Sequence, residues 1–235
     1  MIKRYLKLMT CAIALLVSAS SLQAKDLVVD LSAPIVRITT GFSGTELLLF
    51  GAKRGAGDVI VVGHAYSSYQ SGHAYVYTRN LSSTPATQWK LAQKLEPDYT
   101  AKYFGFSVAI DKADDTIVVG AHKAQLGSDI DVGAAFVFAR NSSNWTQVEV
   151  ILPEEPAGTT LAAFEFGTSV AIDDGVIVVS KMRSADTSNL NPTAYVYERD
   201  DMDDVQSSWS FVSRLREEGD SEFARNVMVD GDTIA

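Results

Sequence analysis

Asp129 and Asp131 stand two residues apart, just ahead of Gly133, in the run Asp129-Ile130-Asp131-Val132-Gly133. Alternating carboxylates that end on a glycine turn suit calcium, which takes roughly six to eight oxygen ligands from carboxylates and carbonyls. A full loop would add a third alternating carboxylate, and this run lacks it. Asp111, Asp114 and Asp115 form a second acidic group, and Asp200, Asp201, Asp203 and Asp204 a third, neither with the alternation. All three groups also read as ordinary acidic turns facing water. Calcium at Asp129 and Asp131 is the one cofactor expectation that these residues support.

The histidines suggest a different metal. His64 and His122 follow the same kind of apolar run, and His73 precedes an aromatic stretch. Two or three histidines near one rim would suit a transition metal. No pair has helical spacing, and no carboxylate completes a recognisable ligand set, so surface loop histidines are the competing reading. Ser43, in Gly41-Phe42-Ser43-Gly44, does not match the Gly-x-Ser-x-Gly elbow of a nucleophilic serine. The stretch from Gly51 to Gly57, with Lys53 and Arg54, matches no phosphate loop and reads as a hairpin turn. No catalytic residue emerges, and the expectation is a protein without enzymatic activity.

The flanking sequence narrows the setting. Lys3, Arg4 and Lys7 are followed by a short apolar stretch from Leu8 to Ala19 and by Ser21-Leu22-Gln23-Ala24. That order reads as a signal peptide over residues 1–24 and predicts export to the periplasm or the exterior. The apolar stretch is short for a membrane span, and no later segment approaches one. Removing the three basic residues of the leader from the chain's 20 leaves 17 against 29 acidic, a net charge of −12. Such a balance argues against nucleic acid and anionic lipid as partners. The one cysteine, Cys11, lies within the leader, so the mature chain has no thiol for disulfides, catalysis or metal.

Any site must be held by strands, because the chain is a repeat. An apolar run recurs at Ile60-Val61-Val62-Gly63, Ile117-Val118-Val119-Gly120 and Ile177-Val178-Val179-Ser180, with a start at Ile234, at spacings of 57, 60 and 57 residues. An aromatic-Val-aromatic triplet recurs at Tyr75-Val76-Tyr77, Phe136-Val137-Phe138 and Tyr195-Val196-Tyr197. Arg79, Arg140 and Arg199 each follow two residues after it, and Trp89, Trp145 and Trp209 open an alternating stretch. The fourth anchor is FGFSVAID at 104–111, FGTSVAID at 166–173 and FARNVMVD at 223–230. All four are short, rich in Val, Ile, Phe and Tyr, and bounded by Gly, Asp, Asn and Ser, which predicts strands. Period-two geometry puts both aromatics of the triplet on one face and the valine on the other, so this strand should lie between two packed layers. Asp111 to Asp115 and Asp173-Asp174-Gly175 read as tight turns between antiparallel neighbours. Four antiparallel strands per unit, stacked on copies of the unit, describe a propeller blade.

The anchors resemble the FG-GAP family, named for its Phe-Gly start and a Gly-Ala-Pro after the second strand. FGFSVAID, DDTIVVGA, GAAFVFARN and NWTQVEVI together are similar to a whole repeat of the bacterial form. No copy keeps the proline: Gly63-His64-Ala65, Gly120-Ala121-His122 and Ser180-Lys181-Met182 stand there instead. The fourth copy reads Phe223-Ala224 in place of Phe-Gly. The resemblance implies an all-β fold: a partial β-propeller of about three four-stranded antiparallel blades, with additional N-terminal β-strands. The blades would span 57–96, 104–152 and 166–216, with a partial one at 223–235, inside a repeat region of 57–235. The family often binds calcium in acidic loops, in keeping with Asp129 and Asp131.

Residues 25–56 form a separate β segment ahead of the repeats. DLS at 30–32, ITTGFSGTELLLFGA at 38–52 and GDVIVV at 57–62 resemble the N-terminus of a family of proteobacterial membrane-anchored periplasmic proteins of unestablished function. The chain is either a natural fusion whose N-terminal strands complete the first blade, or a recombined or truncated frame. About three blades fall short of the roughly four to eight of closed propellers, so self-association to complete a ring is a further expectation. The leading functional expectation is an exported, non-catalytic binding or adhesion-type module. It would use the loops at 63–72, 120–133 and 180–192 against a protein or glycan. The alternatives are a metal-dependent hydrolytic or enzyme-accessory propeller, with His64 and His122 drawn together, and a fragment without independent function.

Overall fold

The computed structural model describes residues 59–65, 72–79, 90–98, 101–111, 116–157, 159, 161, 163–182, 192–217 and 223–235. It describes backbone alone for Trp89 and for strands at 15–19, 28–30, 37–39, 44–48 and 50–53. All regular elements among these residues are strands.

Three sheets of four antiparallel strands form the body, each a meander in chain order. The first comprises β5 (Phe50–Lys53), β6 (Val59–His64), β7 (His73–Arg79) and β8 (Trp89–Leu95). The second comprises β9 (Ser107–Ile110), β10 (Thr116–Ala121), β11 (Ala134–Asn141) and β12 (Asn144–Ile151). The third comprises β13 (Phe166–Asp173), β14 (Val176–Lys181), β15 (Thr193–Arg199) and β16 (Trp209–Leu215). A two-stranded piece, β17 (Val229–Asp230) and β18 (Thr233–Ile234), follows. Toward the N-terminus β1 (Leu15–Ala19) pairs with β4 (Gly44–Leu48), and β2 (Val28–Asp30) pairs with β3 (Arg37–Thr39). The β1 strand covers the last five residues of the apolar stretch of the expected leader.

The repeated anchors become the repeated strands. The Ile-Val-Val runs are β6, β10 and β14, and the aromatic-Val-aromatic triplets are the centres of β7, β11 and β15. Asp174 (φ 46°) and Gly175 (φ 72°) link the paired residues Asp173 and Val176, so a two-residue hairpin joins β13 to β14. The matching turn after Asp111 falls at 112–115, outside the described residues. One pairing reaches back past the expected boundary at 57. β5 lies against β6 with Phe50 opposite Val62 and Lys53 opposite Val59, so the first sheet takes its first strand from the segment ahead of the repeats.

The sheets stack face to face as blades. Val61 and Val76 of the first blade are buried with Ile117, Val119, Phe136 and Phe138 of the second. Val118 and Val137 of the second blade are buried with Ile177, Val179, Tyr195 and Tyr197 of the third. The aromatics of every described junction thus face the preceding blade while the triplet valine faces the next. The Phe of the Phe-Gly anchor wedges edge-on into its own blade's aromatic pair. Phe104 lies 5.3 Å from Phe136 and 6.0 Å from Phe138, and Phe166 lies 5.2 Å from Tyr195 and 6.4 Å from Tyr197. Val227, just ahead of β17, covers Ala171, Val178 and Ala194 on the far face of the third blade, with Val229 and Ile234 of the β17–β18 piece packed beside it.

Side-chain bonds repeat along the same junctions. Gln93 donates to the carbonyl of Trp145 (2.6 Å) and accepts from its N–H (2.8 Å). Four residues after the next tryptophan stands Glu149, which accepts from the N–H of Trp209 (2.8 Å). The ring of each such tryptophan carries the repeat arginine, Arg140 over Trp145 and Arg199 over Trp209, both at 4.8 Å.

Candidate functional site

Antiparallel meanders send the loop after each second strand, and the linker after each fourth, to the same end of the blades. Of the three loops singled out by sequence, 120–133 alone lies wholly within the described residues. It is a structured loop. Leu126 and Asp129 exchange both backbone hydrogen bonds (3.0 and 2.9 Å), and the Gly133 N–H donates to the Ala124 carbonyl (3.0 Å). Its descending limb is stitched to the linker that enters the third blade. Ala163, Glu165 and Phe166 donate their N–H groups to the carbonyls of Ile130, Asp131 and Val132, each at 3.0 Å.

Asp129 and Asp131, the two candidate calcium ligands, lie in this loop and are both part-buried. Asp131 holds a left-handed backbone (φ 55°), and its Oδ2 lies 3.3 Å from Lys123 Nζ. The same ammonium lies 3.4 Å from Glu165 Oε1, so Lys123 bridges loop and linker. Burial works against its charge, but the bond and charge of Asp131, with Glu165 behind, prevail and raise its pKa. Among the described residues no three His, Cys, Asp or Glu side chains gather as metal holders.

The strand register sets His64 opposite His73, at the loop end of β6 and β7. His73 Nδ1 lies 3.8 Å from Glu96, and burial and then Lys94 push its pKa down. His122 belongs to another sheet and packs against the rings of Phe106 (4.0 Å) and Tyr103 (5.1 Å). Burial, then the charge of Lys123, lowers its pKa to about 4, so it is a neutral packing group at pH 7. The register thus sets His64 beside His73, and the enzymatic alternative pairs His64 with His122 of the neighbouring blade. Ser43 lies outside the described residues.

Sequence reasoning passed over a cluster at the same end of the third blade. Glu155, in the linker after β12, accepts a hydrogen bond from the Tyr195 hydroxyl. It meets Arg214 Nη1 at 2.5 Å, Arg216 Nη2 at 3.2 Å and Lys181 Nζ at 4.0 Å. The Glu155 side chain is 5% exposed and that of Lys181 1%. Lys181 Nζ also sits 4.2 Å over the Phe164 ring. Burial lowers the Lys181 pKa to about 8 against the opposing pull of Glu155, and burial and then Glu155 raise that of Tyr195. One signal was in the sequence: Lys181 closes the third Ile-Val-Val strand where Ala121 closes the second.

The loop tip differs from its base. Leu126 is 37% exposed and Ile130 61%, among exposed Gln125, Gly127 and Ser128. No helix among the described residues is long and apolar enough to cross a membrane. No curated protein matches the chain. Residues 89–138, from β8 into β11 and across the Phe104-Gly105 anchor, match the model of the FG-GAP repeat, and with the stacked four-stranded sheets this identifies an FG-GAP repeat in a β-propeller-type chain.

Proposed function

We propose that the chain is an exported, non-catalytic binding module that engages a protein or glycan with the loops at one end of its blades. One observation carries this reading: the 120–133 loop offers apolar Leu126 and Ile130 to solvent from a base tied down by backbone bonds and Lys123. A flexible tip would lose ordering entropy on binding, and a pre-tied one loses less. Apolar side chains on such a tip are suited to burial against a partner, with the polar residues around them as rim. Calcium would take Asp131 in competition with Lys123, whose ammonium already supplies positive charge there.

The test selects binders for the mature chain from a displayed random peptide library and a glycan array. The expected result is a set of binders lost on the double substitution Leu126→Ser, Ile130→Ser, with the thermal midpoint unchanged. Binders indifferent to that substitution would overturn the assignment of the face. A calcium titration of the same protein, followed by thermal midpoint, is expected to show a larger response in Lys123→Gln than in the parent.

A further inference from the structure

Among the described residues, the cluster at the end of the third blade holds three cations, Lys181, Arg214 and Arg216, around one carboxylate, that of Glu155, in a chain of net charge −9. Lys181 is the most deeply buried of the three cations, held between the Phe164 ring and Glu155. Its side chain is 1% exposed, and among the described residues its nearest carboxylate oxygen, on Glu155, is 4.0 Å away, beyond hydrogen-bond reach. A buried ammonium is costly unless it is paired, and its pKa falls to about 8 here. The two guanidiniums remain part-open to solvent, Arg214 at 29% and Arg216 at 42%. Glu154 and Glu217, the neighbouring acids in sequence, are exposed.

We propose that Lys181, Arg214 and Arg216 form a subsite for a carboxylate group of the ligand, with Glu155 the resident carboxylate that keeps the cations gathered. Glu155 itself shows the chemistry the seat accepts. One guanidinium nitrogen from each of Arg214 and Arg216 and the Tyr195 hydroxyl converge on its oxygens, and guanidinium groups suit carboxylates well. The exposed edges of Arg214 and Arg216 are left to receive a second carboxylate, and Lys181 offsets its charge from below. This deepens the binding-module reading and rests on it, since β14 and β16 end on the same side of the blades as the 120–133 loop.

Calorimetric titration of the mature chain at pH 7 and low salt decides the matter with three probes: a capped glutamate–glycine peptide, glucuronic acid and inorganic phosphate. The expected result is saturable uptake of at least one carboxylate probe, and which one is taken names the source as an acidic peptide or an acidic sugar. Arg216→Gln, a change at an exposed side chain, is expected to weaken uptake about tenfold, the scale of one charge-assisted bond. Glu155→Gln is expected to strengthen uptake, because it removes the competing charge; a merely structural latch would lose stability and gain no affinity. No saturable uptake of either carboxylate, a preference for phosphate over both, or an unchanged Arg216→Gln would each overturn the proposal. Carboxylate uptake that survives Leu126→Ser, Ile130→Ser, in a chain whose selected binders ignore that substitution, would uphold the subsite while the loop assignment fails.

Discussion

Gly105 shows why the Phe-Gly anchor tolerates so little. Its φ is +86°, and a Cβ there would come within 2.2 Å of the His73 carbonyl oxygen in the first blade. At the next junction Gly120 approaches Gly167 in the same way, a Cβ meeting the Gly167 carbonyl oxygen at 2.1 Å. Backbone meets backbone where blades touch, and neither side can retreat. Gly105→Ala is therefore expected to cost about 2–4 kcal/mol, read as a lower urea midpoint. The third junction has changed both partners, to Ser180 and Ala224, and Ala224 keeps a left-handed φ of 54°. Ala224→Gly relieves that strain and is expected to raise stability by about 0.5–1 kcal/mol in the same assay. His122 sets a pH dependence. Its pKa falls from 6.5 to about 4 on folding, so between those values the unfolded chain binds a proton that the folded chain refuses. Stability contributed by the neutral ring is present above pH 6.5 and is lost as pH falls toward 4, by on the order of 3 kcal/mol. Parallel denaturation of the parent and His122→Phe at pH 7 and pH 4.5 isolates that loss from carboxylate titration, with the variant expected to lose less.

At the scale of strands, the junctions are sewn by a bond made four residues after Trp89 and again four residues after Trp145. Gln93 makes both its bonds to Trp145, and Glu149 makes one to Trp209. Gln93→Ala removes two bonds at a part-buried seam and leaves the backbone groups of Trp145 wanting partners. The expected loss is about 1–3 kcal/mol in urea denaturation, and a loss below about 0.5 kcal/mol would mean that water replaces the amide. The strands themselves were legible in the sequence, because each anchor repeats and each carries a two-residue period. Tyr195-Val196-Tyr197 announces two faces, and Asp174-Gly175 announces its hairpin. The bonds between blades were not legible, since Gln93 and Trp145 are 52 residues apart and neither is unusual for its strand. That N-terminal strands could complete the first blade was one of two readings the sequence allowed, but the residues that do so were not legible. Phe50–Lys53 lacks the FGFSVAID pattern and joins the blade through backbone pairing, which leaves little trace in side chains. Of the site, the 120–133 loop was visible as an acidic loop that interrupts the repeat. The Glu155 cluster was not, because its members come from a linker and three strands and meet only once the third blade forms.

A stack of this kind is held by nearest neighbours, so the molecule as a whole should not unfold evenly. The second blade has four-stranded sheets on both faces: Ile117, Phe136 and Phe138 pack toward the first, and Val118 and Val137 toward the third. The third blade meets a full sheet on one face and the β17–β18 piece on the other, and its outer strand leaves Phe211, Val212 and Leu215 partly in water. Local opening follows buried contact, because a segment frees itself only by exposing what covers it. Native-state hydrogen exchange should then rank the amides of β10 and β11 as the slowest, with β15 ahead of them and β16 and β18 faster still. The comparison with β14 is the sharper one. Its run Val176–Lys181 matches β10 in apolar character, so propensity alone predicts equal protection for the two strands. Slower exchange in β10 than in β14 would locate the stability in the stacking of blades. Equal rates would locate it within each sheet, and would remove the reason to expect Gly105→Ala, at a junction, to weaken the second blade as a unit.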